Sequence, residues 1–186
     1  MLSSPLAAAT ASPQIEQLTA IDDPSLRRDL LKLLGDAVEG GASVGFTLPF
    51  DRDLGIAYWQ DVACDLVSGS HALLVARERP GGSILGAVQL DFSTRQNGRH
   101  RAEMQKLMVR RSHRHRGLAQ QLIAAAEKLA AKRGIRLITL DTRVGDEAEA
   151  LYRKLGYLSC GTIPDYTSDG HGRFDATAIY YKRLTG

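Results

Sequence analysis

The strongest constraint on the fold is a run of three strand-like segments between Ser70 and Arg110 with no helix between them. The segments read SHALLVARER, GSILGAVQLDFS and RAEMQKLMVR, and the turn-forming stretches ERPGGS and TRQNGRH separate them. Short turns between segments of period two predict an antiparallel meander. With 186 residues and 44% hydrophobic content, the chain is long enough to bury one core around such a sheet.

Helical periodicity flanks this meander on both sides. On the N-terminal side the strand-like segment QIEQLTAI precedes two amphipathic helices, the first opened by Asp23-Pro24 and the second closed by Gly69. On the C-terminal side a long helix ends at Gly134, and RLITLDT, DEAEALYRKLGY, YLSCGTIP and TAIYYKRL then follow as strand, helix, strand and strand. These connections predict an α+β fold with a mixed, mostly antiparallel sheet flanked by helices.

We expect one domain over residues 14–186, preceded by an N-terminal arm over residues 1–13. The arm reads MLSSPLAAATASP, and because no positive charge precedes its short apolar stretch, disorder is favoured over a signal peptide. No segment approaches the roughly 20 apolar residues of a membrane-spanning helix, so we expect no membrane partner. Cys64 and Cys160 lie outside metal-ligand spacing and are expected to be buried free thiols, which fits a reducing cytoplasm.

The basic stretch RRSHRHRGLAQQL, residues 110–122, points to an anionic partner. It ends in a small, apolar helix start, where backbone N–H groups lack intrahelical partners and meet the positive end of the helix dipole. Arg114 and Arg116 would add charge-assisted hydrogen bonds to a pyrophosphate bound there. The alternatives are a solvated basic loop or a nucleic-acid patch. The stretch contains no aromatic residue, and aromatics total only 6%, which argues against nucleic acid.

The segment Arg114–Ala119 matches the Q/R-x-x-G-x-G/A signature of the GNAT N-acetyltransferase superfamily. EALYRKLGY is similar to that superfamily's A-x-x-L-Y-x-x-x-G-F/Y segment, so the resemblance covers Glu103 to about Tyr157. It implies an acetyltransferase that uses acetyl-CoA as cosubstrate and holds its pyrophosphate in this turn, with no metal. The implied cofactor-binding residues are Leu107, Met108, Val109, Arg114, His115, Arg116, Gly117, Leu118 and Ala119.

A closer resemblance, to the tabtoxin resistance protein group, rests on GGASVGF, RAEMQKLMV, LDTR and DATAIYYKRL. It implies an amine-bearing antibiotic or toxin as acceptor, amino-acid-like or a β-lactam. The chain departs from the superfamily pattern in three places. Arg111 replaces a frequent proline, Ala119 the commoner second glycine, and Gly145 a frequent asparagine.

Acetyl transfer from a thioester to an amine needs a base, an acid for the departing thiolate and a donor to the carbonyl oxygen. An amine titrates at about 8 to 10, so a carboxylate must help to remove its proton near neutral pH. Glu103 and Asp141 are the candidates, because the resemblance places them on neighbouring strands. The alternative for each is a surface carboxylate or an ion pair with Lys106 or Arg143.

Tyr152 stands where members of the superfamily supply a phenol to the sulfur, so the resemblance implies that it is the acid. Packing against neighbouring leucines is the alternative, and the two roles are compatible. A strand N–H near Met108 or Val109 would polarise the carbonyl, and the same strand edge would pair with the pantetheine arm. Tyr58 and Trp59 either line the acceptor pocket or pack in the core.

The leading function is therefore acetylation of a primary amine of a small molecule, in the cytoplasm. The loops GGASVGF and DYTSDGHGRFD are expected to shape the acceptor site. Acetylation of protein lysines or N-termini is a second candidate, and a basic nucleic-acid-binding module is a non-enzymatic third. The resemblance also allows a homodimer, because paired subunits are common in the superfamily.

Overall fold

The structure, a computed structural model, describes residues 13–184. The first twelve residues of the predicted arm lie outside this range. The strands are β1 (Gln14–Leu18), β2 (His71–Arg77), β3 (Ile84–Phe92), β4 (Arg101–Val109), β5 (Leu137–Arg143), β6 (Leu158–Ser168) and β7 (Phe174–Arg183). The α-helices are α1 (Pro24–Glu39), α2 (Arg52–Ser68), α3 (Leu118–Lys132) and α4 (Glu147–Lys154). Short 3₁₀ helices cover Gln96–Gly98 and Arg111–His113.

The strands form one seven-stranded sheet in the order β1-β2-β3-β4-β5-β7-β6. All neighbours are antiparallel except β4 and β5, which α3 connects as a parallel crossover. The predicted α+β class, with a mixed and mostly antiparallel sheet flanked by helices, is confirmed. None of the helices in residues 13–184 combines the length and apolar character that a membrane span requires.

Two apolar clusters cover the two faces of the sheet. One packs α3, through Leu122 and Ile123, against the sheet, while the other packs α1 and α2 through residues such as Leu30 and Trp59. Alternate residues of β2 join opposite clusters, as the period of a strand requires. Trp59 is 3% exposed and therefore belongs to the core.

A bulge in β4 interrupts this alternation. Ala87 pairs with Met108 and Gln89 with Gln105, so one residue of β3 faces two of β4, and Lys106 takes a left-handed φ of 52°. In a regular strand, Met104 and Met108 would lie on the same face. Here Met104 belongs to the α3 cluster and Met108 to the α1–α2 cluster. The bulge therefore exchanges the faces of all residues after Lys106.

The parallel pair β4–β5 is short. It runs from Arg101 opposite Leu137 to Glu103 opposite Thr139, although β4 continues to Val109. The strands therefore separate towards their carboxyl ends, which leaves an edge of β4 free of β5. The candidate site lies at this opening.

Two expectations are corrected. The segment DYTSDGHGRFD is mostly strand, because β6 reaches Ser168 and β7 begins at Phe174, which leaves a tight turn at the tip. Both cysteines are free, but they are exposed rather than buried. Cys64 lies on the outer side of α2, and Cys160 lies on β6, an edge strand with almost every residue exposed.

Candidate active site

A cleft of about 710 Å³ lies where β4 leaves β5. Its walls are the loop after α1, the end of β4, the turn into α3 and one side of α4. The lining residues are Ala37, Gly40, Gly41, Ala42, Leu107, Met108, Val109, His113, Arg114, His115, Gly117, Leu118, Ala119, Gln120, Arg143, Asp146, Glu147, Ala148 and Leu151. All the predicted cofactor-binding residues except Arg116 belong to this set.

The turn into α3 presents backbone N–H groups to the cleft. His115 and Gly117 adopt left-handed φ values of 59° and 75°, and Gly117 caps the helix. The N–H of Gln121 makes the first hydrogen bond of the helix, to the Gly117 carbonyl at 3.1 Å. Within residues 13–184, the N–H groups of residues 115–120 have no protein acceptor. Such a concave run of donors at a helix N-terminus fits a pyrophosphate.

The first two arginines of the basic stretch bind to neighbouring elements of the fold. Arg110 donates to the Ile84 carbonyl. Arg111 donates from its backbone N–H and its Nε to the Asp36 carboxylate, at 2.8 and 2.9 Å, and from Nη2 to Glu39 at 3.0 Å. Partial burial raises the pKa of the Asp36 carboxyl, but the hydrogen bonds from Arg111 outweigh it and lower that pKa. Arg111, which stands where proline is frequent, thus fastens the turn to α1.

Arg114 and Arg116 have different surroundings. Arg114 lines the cleft, its Nε donates to the Val109 carbonyl at 3.4 Å, and its Nη2 would lie 2.8 Å from a Cβ on Gly40. Arg116 is exposed and lies outside the cleft lining. The predicted side-chain contact from Arg116 to the cofactor stays a prediction.

The direction of the backbone N–H groups distinguishes Met108 from Val109, the two predicted donors to the carbonyl oxygen. The N–H of Arg110 bonds to Leu85 on β3, and polar groups of alternate residues point to opposite edges of a strand. Val109 therefore presents its N–H and carbonyl to the open edge, where the carbonyl accepts from Arg114. Met108 points its own groups towards β3.

Two walls of the cofactor cleft were not predicted from the sequence. The loop that begins at Gly40 and Gly41 was expected at the acceptor site instead, and Asp146 indicates only a helix start. In the structure, Arg143 joins these walls, because its Nη2 donates to the Gly41 carbonyl at 2.8 Å and to Asp146 at 2.9 Å. Arg143 and Gly41 are 102 positions apart in the chain, so no local pattern indicates this bridge.

Tyr152 is 6% exposed and lies in the α3 cluster, at the end of α4. Its ring contacts Tyr157 edge-on at 5.6 Å between centroids and lies 6.4 Å from Tyr180. Burial, and then the negative charge of Asp141, raise the pKa of its phenol well above the ordinary value. Its neighbour Leu151, rather than Tyr152, lines the cleft. The packing role is therefore observed, and the acid role stays a prediction.

Carboxylates gather on the face of the sheet that α1 and α2 cover. Asp91, Glu103 and Thr139 lie in one row across β3, β4 and β5, and Asp141 follows Thr139 on the same face. Burial, and then the charges of Asp141 and Asp91, raise the pKa of Glu103, while Lys106 lowers it. Neither predicted base forms a salt bridge within residues 13–184. The ion-pair alternative is thus not observed, but both residues are exposed, as the surface-carboxylate alternative expects, and the base role stays a prediction.

A second cavity, of about 610 Å³, has Glu103 in its lining. Its lining residues are Asp91, Phe92, Ser93, Thr94, Arg95, Arg101, Ala102, Glu103 and Thr139. The lining therefore carries two carboxylates and two guanidinium groups. In the described part of the chain, none of these four charges belongs to a salt bridge.

Tyr58 borders the carboxylate row from α2. Its hydroxyl lies 3.0 Å from Oε1 of the buried Gln89 and 2.7 Å from the Nε2 of the same side chain. Over residues 13–184, no group of three His, Cys, Asp or Glu side chains is arranged to hold a metal ion.

Comparison with known proteins identifies the family. The model of the acetyltransferase (GNAT) family matches residues 33–157, more than half of the chain. The chain belongs to the GNAT family. An uncharacterized N-acetyltransferase from the hisH-hisA intergenic region of Azospirillum brasilense is 34% identical over 117 residues, 62% of this chain and 67% of that protein.

Solved structures agree with this GNAT assignment at the level of the fold. The ribosomal-protein-alanine N-acetyltransferase of Brucella melitensis superposes with a TM-score of 0.74 at 23% identity, covering 92% of this chain and 99% of that one. YncA of Salmonella typhimurium, solved with its cofactor acetyl-CoA, gives a TM-score of 0.72 at 17% identity, covering 95% and 96%. The superfamily predicted from the motifs is confirmed, and the tabtoxin resistance subgroup stays a prediction.

Proposed function

We propose that this GNAT acetyltransferase uses acetyl-CoA to acetylate a primary amine of a small, amino-acid-like molecule in the cytoplasm. The observation that carries the proposal is the run of backbone N–H groups at residues 115–120, which have no acceptor within residues 13–184 and lie in the turn that lines the cleft. The end of β4 lines the same cleft, and Glu103 lies earlier on that strand. Antibiotic or toxin resistance is the biological role that the proposal retains from the tabtoxin resemblance.

The residues of the cleft fit this cosubstrate in two places. The turn at residues 115–120 would hold the pyrophosphate, with Arg114 adding a positive charge. The free edge of β4 at residues 107–109 would pair with the amide-bearing pantetheine arm. Acetyl-CoA would supply an acetyl group activated as a thioester.

Each chemical role then falls to a group of this chain. Glu103 is the proposed base, because a raised pKa brings a carboxylate closer to the pH at which it both accepts and releases protons. The N–H of Val109 is the proposed donor to the carbonyl oxygen. Tyr152 is the proposed acid, and its raised pKa keeps the phenol protonated at every physiological pH.

The turn at Gly117 gives a direct test of cofactor binding. A Cβ at Gly117 would meet no atom within 4 Å, and Asn and Asp tolerate its left-handed φ better than other side chains. We expect Gly117→Asp to bind acetyl-CoA at least tenfold more weakly than Gly117→Asn, about 1.4 kcal/mol. The two variants match in shape and differ in charge. Calorimetric titration at low and high salt measures the ratio, which should shrink with salt, and equal affinities would contradict the phosphate site.

The second cavity supports an acceptor with both an amine and an acid group. Asp91 and Glu103 suit an ammonium, while Arg95 and Arg101 suit a carboxylate. We expect free amino acids or amino-acid-like antibiotics to be acetylated with a KM at least about tenfold lower than their carboxamides. In Arg101→Gln this preference should disappear. Thiol release across such matched pairs is the measurement.

The same screen separates the remaining candidate acceptors. Peptides with a free N-terminus lack the nearby carboxylate, so a preference for them over free amino acids would favour protein N-terminal acetylation. Equal rates for acid and amide in both wild type and Arg101→Gln would remove the role of the second cavity.

A further inference from the structure

Lys106 brings a primary amine of this chain near Glu103 and Asp141, the two candidate bases. It is the bulge residue of β4, it is half-buried, and its backbone is left-handed with a φ of 52°. Its Nζ lies 5.7 Å from the centre of the Tyr58 ring. A Cβ at Gly45 would stand 3.2 Å from the same Nζ, so the left-handed glycine in the loop after α1 leaves space for this amine.

The surroundings of this amine are those expected for an acceptor amine. The carboxylates of Glu103 and Asp141, the two candidate bases, act on Lys106 electrostatically. Burial lowers the pKa of the Lys106 ammonium, and these two charges only partly oppose that effect. Within residues 13–184 the ammonium takes part in no salt bridge. A larger neutral fraction makes a lysine a better nucleophile.

Lys106 also directly precedes the part of β4 that lines the cofactor cleft. Leu107, Met108 and Val109 follow directly and line the cofactor cleft. The bulge turns Lys106 to the α1–α2 face, where Gly45 and Tyr58 contact it. One short segment therefore supplies the cleft edge on one side and a primary amine on the other.

We propose that Lys106 is an acetylation site that the enzyme modifies itself, with acetyl-CoA as the donor. This inference rests on the proposed function. The ammonium first loses a proton to Glu103, Asp141 or water. The neutral Nζ then forms a C–N bond to the thioester carbonyl carbon, the C–S bond breaks, and the sulfur leaves with the electron pair. A proton from the attacking nitrogen ends on the sulfur, so the products are the acetyl-lysine amide, free thiol and one released proton.

Modification changes the charge of the acceptor side. Acetyl-lysine is neutral, so Glu103 loses the nearby positive charge that lowers its pKa. The acetyl group also occupies space beside Tyr58. If Glu103 is the base, the acetylated enzyme should therefore need a higher pH than the unmodified enzyme to reach the same activity.

Mass spectrometry of the full chain tests the inference. The protein is incubated with acetyl-CoA without any acceptor, and acetylated lysines are mapped and followed over time. We expect Lys106 to be acetylated on the order of tenfold or more faster than the exposed Lys128 on α3, because its amine is held in place. The rate constant should not change when the protein is diluted at saturating acetyl-CoA. Lys106→Arg should abolish the fast event, and the matched Lys128→Arg should retain it.

Two results would overturn the inference. One is acetylation of Lys106 no faster than of Lys128, which is the pattern of chemical acetylation by the thioester alone. The other is a rate constant that falls on dilution, which indicates transfer between molecules. Calorimetry keeps the two proposals apart. Acetyl-CoA that binds without modifying Lys106 overturns this inference alone, whereas acetyl-CoA that does not bind overturns the proposed function as well.

Discussion

Glu103→Gln should lower kcat/KM by roughly 10² to 10⁴, the usual value of general base assistance. The glutamine keeps the shape of the side chain and removes its ability to take a proton. In the wild type, activity should fall as the pH drops through the pKa of Glu103, because only the ionised carboxylate is a base. Burial and the charges of Asp141 and Asp91 raise that pKa, so the acidic limb should lie above the ordinary glutamate value of about 4.3.

Two neighbouring carboxylates provide the matched controls. Asp91→Asn and Asp141→Asn each remove a negative charge that raises the pKa of Glu103. If Glu103 is the base, both variants should move the acidic limb to lower pH and keep most of kcat. If Asp141 is the base instead, Asp141→Asn alone should lose activity. Pre-steady-state and steady-state rates across pH distinguish these patterns, and an unaltered acidic limb in Glu103→Gln would contradict the assignment.

Tyr152→Phe should lower kcat by roughly 10² to 10⁴ while leaving the affinity for acetyl-CoA unchanged. The ring that contacts Tyr157 and Tyr180 stays in place. The Tyr152 hydroxyl makes no hydrogen bond within residues 13–184. Its removal therefore leaves no buried polar group unsatisfied there, and the free energy of unfolding should change little. Because burial raises the pKa of this phenol, it should cause no loss of activity below about pH 10.

Tyr157→Phe is the control for this variant. Tyr157 is 2% exposed and contacts Tyr152 in the same aromatic cluster, but no acid role is predicted for it. The same chemical change there should leave kcat within a few-fold of wild type. If both variants retain full kcat, Tyr152 is only a core residue and the thiolate takes its proton from water.

The sequence by itself determined most of the elements and the turn into α3 that is proposed to bind phosphate. The meander follows from period-two segments with turns between them, and the turn into α3 follows from a helix start with Gly117 after a basic stretch. These are local properties of a few consecutive residues. Even so, the polar sequence after Pro164 predicts a loop, whereas the pairing of β6 with β7 supplies the hydrogen bonds that make it strand.

Only the tertiary structure decided how the site is assembled. Alternation along β4 would have kept Glu103 and Leu107 on one face, but the bulge at Lys106 turns them to opposite faces. The same bulge places the Lys106 amine beside Glu103 and Asp141, which no spacing in the sequence indicates. Bulges, the separation of β4 from β5 and the charge environment all depend on contacts between distant segments. For that reason the candidate residues were available from the sequence, while their surroundings and pKa shifts were not.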